Sequence, residues 1–300
     1  MLAYPSAAPA HSAPPVVETR RVTEANGMVR GSLYLVSTPI GNLADLSERA
    51  RAVLAGASLI LAEDTRHSRT LLLHFGITGR VDAYHEHNEA KATPKIIARL
   101  EAGGSVALIS DAGTPLLSDP GARLVTAAIA AGITVVPVPG ASALLAALVG
   151  SGLSADRFTF YGFLDRRGKG RAEAIAEVVG STHTSVIYEA PNRVADLLAE
   201  LLKAGAGDRQ AVVARELTKQ FEEYARGTVA ELTARFGDTD PRGEVVVLLA
   251  GAAARVVDEA EVRDRAKALR AEGLSAREVV RVLSIECGAS RNLAYRIAHE

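Results

Sequence analysis

The chain predicts an α/β fold built on a parallel sheet, and three observations predict it. From Ser32 onward, short apolar runs alternate with stretches of helical pattern. The runs show little apolar–polar alternation, as expected of strands covered on both faces. Several runs are followed directly by small, turn-forming residues before the next helix begins.

In chain order, "LYLV" (33–36) reads as a strand and 45–55 as a helix. "LILA" (59–62) is a strand, 65–75 a helix, and 87–101 is helical. "VALI" (106–109) is a strand and 119–131 a helix. "ITVVPV" (133–138) and 141–150 repeat the pattern. A first α/β domain over 31–151 follows. In "GSGLSADRFTFYGFLDRRGKGR" (150–171) the texture changes to an aromatic cluster and then a glycine-rich basic run, which places a boundary near Gly152. A second α/β domain, 152–252, carries "TSVIYE" (184–189), "AVVARE" (211–216) and "GEVVVLLA" (243–250). The polar segment from Leu217 to Thr228 suggests a hairpin and hence a mixed sheet.

Residues 253–300 contain no strand-like run and form a small helical appendage. "SARE" (275–278) fits a capping box, and "GASRNLAYRIA" (288–298) a turn and helix. Basic residues outnumber acidic ones between Arg265 and Arg296, which fits either a solvated face or an RNA-facing tail. Residues 1–30, interrupted by prolines and lacking a basic start, read as a disordered leader and not as a signal peptide.

Composition narrows the functions. With 300 residues, 48% hydrophobic and 23% charged, the chain can bury a core without staples. Cys287 is its only cysteine, so no intramolecular disulfide is available; a cytoplasmic location is expected. No run is long enough to span a bilayer. A net charge of −1 argues against capture of free nucleic acid by charge alone. There is no GxGxxG and no GxxxxGK[ST]. "GASAL" (140–144) lacks the last glycine of a nucleophile elbow. "HEH" (85–87) has no third ligand at helical spacing, so no metal site is expected.

Ligands of parallel sheets bind beyond the carboxyl ends of the strands, so the post-strand loops carry the argument. "STPIGNL" (37–43) combines a rigid Pro39 with a permissive Gly41. "AEDTRHSRT" (62–70) sets Glu63, Asp64, Arg66 and His67 at a strand end, and capping explains only one of them. In "SDAGTPLLSDPG" (110–121) the first half, with Asp111 and the N–H groups of Ala112 to Thr114, suits a ligand. The second half reads as helix initiation, with Asp119 as cap and Pro120 at the first helical position. "PVPGASAL" (137–144) fits either a surface for a flat ring or a helix cap.

Together, "TPIGNLADLSERA", "AEDTRHSRTLLLHFGI", "ISDAGTPLLSDPG", "VVPVPGASAL", "YEAPNRV" and "ARELTKQFEE" occur in this order. Over residues 32–250 the chain resembles the tetrapyrrole (corrin/porphyrin) methylase superfamily, and within it the ribosomal RNA small subunit methyltransferase I family. The resemblance implies two α/β domains with S-adenosyl-methionine in the cleft between them. It implies 2′-O-methylation of a decoding-centre cytidine in 16S rRNA, by a homodimer acting on the assembled small ribosomal subunit. Tetrapyrrole relatives carry Gly-Asp-Pro where this chain has Ser110, Asp111 and Ala112, a departure that favours the RNA branch. The cofactor loops map onto Thr38, Pro39 and Ile40, onto Asp111, Ala112, Gly113 and Thr114, and onto Ala141 and Ser142. Tyr188, Glu189 and Ala190 would close over the cofactor, with Leu217 nearby.

Methyl transfer to a ribose hydroxyl needs alignment and a base within hydrogen-bond reach. Glu63, Asp64 and His67 are candidates, as are Glu189 and Lys219, the last only with a lowered pKa. Arg66 and the run Arg166, Arg167, Lys169 and Arg171 are the expected RNA contacts. Two other readings remain open: a tetrapyrrole methyltransferase, and a non-enzymatic RNA-binding factor in ribosome assembly.

Overall fold

The computed structural model describes residues 22–23, 29–237, 241–253 and 258–300. Most of the expected leader lies outside them. Its described part, β1 (Val22–Thr23) and β2 (Val29–Arg30), forms a short antiparallel ladder.

The first sheet comprises β3 (Ser32–Val36), β4 (Leu59–Ala62), β5 (Val81–Ala83), β6 (Val106–Leu108) and β7 (Thr134–Val138). Its order is β5-β4-β6-β3-β7, and every pairing is parallel. Period-two alternation divides the strands between two cores. Tyr34, Val36, Ile60, Ala62 and Ala107 face one; Leu33, Leu59, Leu61, Val106 and Leu108 face the other. Helices α1 (Glu48–Gly56) and α2 (Thr65–His74) cover the first core through Val53, Leu54 and Leu72. Helices α3 (Glu89–Glu101) and α4 (Ala122–Ala130) cover the second through Ile96, Leu100 and Leu124. Both faces are buried, which is why the strands read as apolar runs. Strand β5, unmarked in the sequence, is three residues long and contains Asp82.

Helix α5 (Ala143–Ser151) does not return to this sheet. Its Leu144, Ala147 and Leu148 pack with Val186, Val212 and Val246 of the second sheet, and Ile40 joins the same cluster. That sheet holds β8 (Phe158–Phe163), β9 (Thr184–Glu189), β10 (Gln210–Arg215), β11 (Glu223–Thr228) and β12 (Val245–Leu249). Its order is β11-β10-β12-β9-β8. Only β8 and β9 run parallel, so the sheet is mixed, and the hairpin expected from Leu217 to Thr228 is the β10–β11 pair. Strand β8 looked like a mere aromatic cluster because its register shifts between Phe160 and Gly162. Helices α6 (Lys169–Gly180), α7 (Val194–Leu201) and α8 (Val229–Phe236) cover the opposite face through Val178, Leu197, Leu198 and Leu232.

Residues from Ala252 onward form a separate compact unit of α9 (Glu259–Ala271), α10 (Ala276–Glu286) and α11 (Arg291–Ala298). Val262, Leu269, Val279, Leu283 and Ile297 make its core, and the Ser275–Glu278 capping box is formed in both directions. Arg263, Arg265 and Arg296 pair with glutamates of the unit, and Arg270 donates to the Ala298 carbonyl. Much of the basic excess therefore holds these helices together.

Candidate active site

The strand order places a switch point between β6 and β3. From β3 the chain crosses over β6 to β4, and from β6 it crosses back over β3 to β7. A crevice opens beyond the carboxyl ends at such a point. Here the loops after β3 and β6 are tied together. Thr38 N–H donates to the Gly113 carbonyl at 2.8 Å and Gly113 N–H returns to the Thr38 carbonyl at 3.1 Å. Thr114 Oγ1 lies 3.0 Å from Ser37 Oγ and donates to the Ala141 carbonyl at 3.1 Å, joining the loop after β7. Gly113 has φ 81°, and a Cβ there would stand 3.1 Å from Ile40 Cγ2. A side chain at this position would be both strained and crowded.

The second sheet closes the crevice. Leu144 N–H, at the start of α5, donates to the Tyr188 hydroxyl at 3.0 Å, and Tyr224 O–H donates to the Ala146 carbonyl at 2.9 Å. Between the sheets lies a cavity of about 430 Å³. Ile40, Asp111 to Thr114, Ser142 and Tyr188 to Ala190, all candidates from the sequence, line it together. Thr38 and Ala141 stand behind the lining as the ties just described. Pro39 faces a neighbouring cavity instead. Ser142 caps α5 through Leu145 N–H, as one reading of its loop expected, and it also reaches the cavity.

The second half of "SDAGTPLLSDPG" departs from expectation. Helix α4 starts at Ala122, after Gly121, with no side-chain cap; neither Asp119 nor Pro120 initiates it. Leu116 (φ 74°) and Ser118 (φ 70°) are left-handed, and Leu117 and Asp119 line the cavity. The opposite wall repeats the device. Glu216 (φ 51°) and Thr218 (φ 66°) flank Leu217, which also lines the cavity. Left-handed backbone at non-glycine residues costs energy and persists where the surroundings enforce it. No local residue pattern marked it, so Leu117 and Asp119 were missed as site residues.

Five acidic residues line this space; Glu189 is held by Arg171 and Arg193 and Glu244 by Lys219, which leaves Glu63, Asp111 and Asp119. Burial, then the neighbouring Asp111, pushes the Glu63 pKa up, against a smaller pull from His85. Burial, then Glu63, pushes Asp119 up to about 6. Burial also raises Tyr188, opposed by the Leu144 N–H and assisted by Asp119. Clustered acids with raised pKa values in a cleft are suited to holding a cationic ligand and to accepting a proton near neutrality.

The other expected catalytic groups are dispersed. Asp64 caps α2, accepting from Arg66 N–H at 2.8 Å, and its side-chain bond to Arg66 holds it down at about 2. Its backbone N–H donates to Asp111 Oδ1 at 3.1 Å, so it orients the carboxylate that does line the cavity. His67 faces the neighbouring cavity. Lys219 pairs with Glu216 at 2.9 Å and Glu244 at 3.0 Å. Burial opposes its charge, yet those bonds hold its pKa above the ordinary value, contrary to the lowered pKa that a base would need. Glu189 is fully buried, bound by Arg193 at 2.5 Å, Arg171 at 3.4 Å and its neighbour Ala190 N–H at 2.9 Å. It shapes the Tyr188–Ala190 segment and has no free oxygen to serve as a base.

The expected RNA contacts also divide. Arg166, Arg167 and Lys169 are exposed, and Arg66 is exposed beside Asp64. Arg171 is a correction: its side chain is 6% exposed and bonded to Glu200 at 2.7 Å, so it is structural. The "HEH" histidines belong to no metal-binding group among the described residues.

Comparison with known proteins agrees with this fold. Residues 32–233 match the family Tetrapyrrole (Corrin/Porphyrin) Methylases. A protein of Synechocystis sp. named ribosomal RNA small subunit methyltransferase I is 43% identical over 90% of this chain and 98% of its own length. Its namesake in Mesorhizobium japonicum is 49% identical over 80% and 82%. Among solved structures, uroporphyrin-III C-methyltransferase of Thermus thermophilus, complexed with S-adenyl homocysteine, superposes with a TM-score of 0.54 at 22% identity, over 73% of this chain and 97% of that one. A diphthine synthase superposes at 0.56 with 17% identity, over 73% and 90%, again sharing the fold. The chain belongs to the tetrapyrrole methylase family, and within it to the ribosomal RNA small subunit methyltransferase I proteins.

Proposed function

We propose that this chain methylates 16S rRNA of the small ribosomal subunit with S-adenosyl-methionine, at the ribose 2′-oxygen of a decoding-centre cytidine, and that it works as a cytoplasmic homodimer. The observation that carries this reading is the cavity at the switch point, roofed by the second sheet, in a chain so similar to rRNA methyltransferases along its length.

The residues present fit the cofactor. A cavity of about 430 Å³ is in the range of small-molecule sites. Ile40, Leu117, Leu217 and Val246 offer an apolar bed, and the bare Gly113 allows backbone approach. Glu63, Asp111 and Asp119 offer negative charge to a cation. When bound, the cofactor supplies a methyl group on positively charged sulfur. The protein aligns the acceptor and takes its proton. Of the expected bases, Glu63 alone lines the cavity with a raised pKa and an unpaired carboxylate.

Mapping 2′-O-methylation on small-subunit rRNA, with and without the protein, tests the reaction. One cytidine gaining the mark supports it; modification of a base or of a tetrapyrrole instead would overturn it. Glu63→Gln is expected to slow single-turnover methylation about a hundredfold, while calorimetry shows S-adenosyl-methionine still bound. A full rate would remove Glu63 from the chemistry.

A further inference from the structure

Beside the cofactor cavity lies a second one of about 300 Å³. The two share Ile40, Asp111, Ala112 and Glu244, so they are neighbours across one thin wall. The far side of the second cavity is helix α2, which presents His67, Thr70, Leu71 and His74. That spacing, three to four residues and then seven, puts them on one helical face. Pro39, Gly41 and Leu43 come from the loop after β3, and Lys219 from the second sheet. Gly41 matters here: a Cβ would stand 2.4 Å from Lys219 Cγ, so only glycine lets the two loops meet.

We infer that this second cavity seats the acceptor nucleotide, with α2 as its recognition wall. The inference rests on the first cavity being the cofactor site. A nucleotide asks for a flat apolar surface, acceptors for its ribose hydroxyls, and donors for its phosphates. Pro39, Leu43 and Leu71 supply the first; Asp111 and Glu244 supply the second, at the wall shared with the cofactor. His67 and His74 supply the third, while Thr70 donates its hydroxyl to the Arg66 carbonyl at 3.2 Å; Arg66 and Arg69 stand exposed on the same helix. Lys219, held by two glutamates, braces this wall and leaves phosphate contact to α2. His74, which no sequence motif singled out, becomes a binding residue in this arrangement.

The test separates the two cavities. Leu71→Trp fills the second, and His74→Ala removes an exposed side chain in the last turn of α2. For each, calorimetry with S-adenosyl-methionine and a binding titration with unmethylated small ribosomal subunits are measured. The expected result is subunit affinity weakened about tenfold by Leu71→Trp and about threefold by His74→Ala, with cofactor affinity unchanged. Subunit binding as in the parent chain for both variants would overturn the inference. So would an equal loss of cofactor affinity, which would make the two cavities one site. Should Leu71→Trp fail to fold, His74→Ala still decides. A parent chain that binds no S-adenosyl-methionine would instead refute the reading of the first cavity.

Discussion

The two sheets treat charge in opposite ways. At the carboxyl ends of the first, Glu63, Asp111 and Asp119 line a cavity and form no salt bridge among the described residues, with His85 exerting only a weaker pull on Glu63. Around the second, charges come in closed sets: Glu189 with Arg171 and Arg193, Lys219 with Glu216 and Glu244, Glu223 with Arg215 and Arg235. The difference teaches how to tell a ligand site from a scaffold. An unpaired buried carboxylate costs stability and persists where a ligand or reaction uses it. A paired one holds backbone in place. On the proposed function, the first sheet would supply the chemistry and the second the wall that confines it.

The sharpest way to break this comparison is to open a closed set. Arg171→Ala leaves Glu189 short of a partner in a site the solvent does not reach. It is expected to lower the free energy of unfolding by about 3–5 kcal/mol, read from the urea midpoint. Glu63→Gln, by contrast, is expected to leave that midpoint unchanged or raised. Equal destabilisation by both would erase the distinction between site and scaffold.

This distinction was only half legible in the sequence. The parallel sheet was legible because both its faces are buried, which leaves unbroken apolar runs such as "LILA". The loops that line the cavity were legible because small residues gather where strands end. Charge pairing was not, because partners lie far apart in the chain: Arg171 and Glu200 are separated by 29 residues. Hence a buried arginine looked like part of an exposed basic run. Asp119 was misread for a different reason. Asp-Pro before a helix is sound capping chemistry, but the left-handed Leu116 and Ser118 turn the aspartate inward, and Gly121 opens the helix instead.

Asp119 gives the second test, through pH. Its folded pKa, about 6, lies above that of an unfolded aspartate, so the native state binds the proton more tightly. Its stabilising contribution is therefore complete below the unfolded pKa of about 4 and is lost as pH rises through about 6. Asp119→Asn, neutral at every pH, should unfold at higher urea than the parent at pH 8, by about 1–2 kcal/mol after allowance for solvent screening. The difference should vanish towards pH 4. Cofactor affinity of the parent should fall below pH 6 as the carboxylate takes up its proton. A constant stability difference across this range would place Asp119 among the paired, structural acids.

The smallest expected effect belongs to charges that the scaffold does not use. Arg166 and Arg167 are exposed, and Lys169 pairs with Glu173 across one helical turn, at 3.2 Å. Such surface pairs contribute about 0–1 kcal/mol. Replacing Arg166, Arg167 and Lys169 together by alanine should leave the urea midpoint within about 0.5 kcal/mol of the parent. If the run touches rRNA phosphates, the KM for small subunits should rise about two- to fivefold and its salt dependence should flatten, with kcat unchanged. The contrast with Arg171, in the same short run, is the useful part: one arginine faces inward and fixes the Glu189 loop, while its neighbours face water. An unchanged KM and salt slope would confine RNA recognition to the loops of the first sheet, where the unpaired carboxylates and the α2 wall already lie.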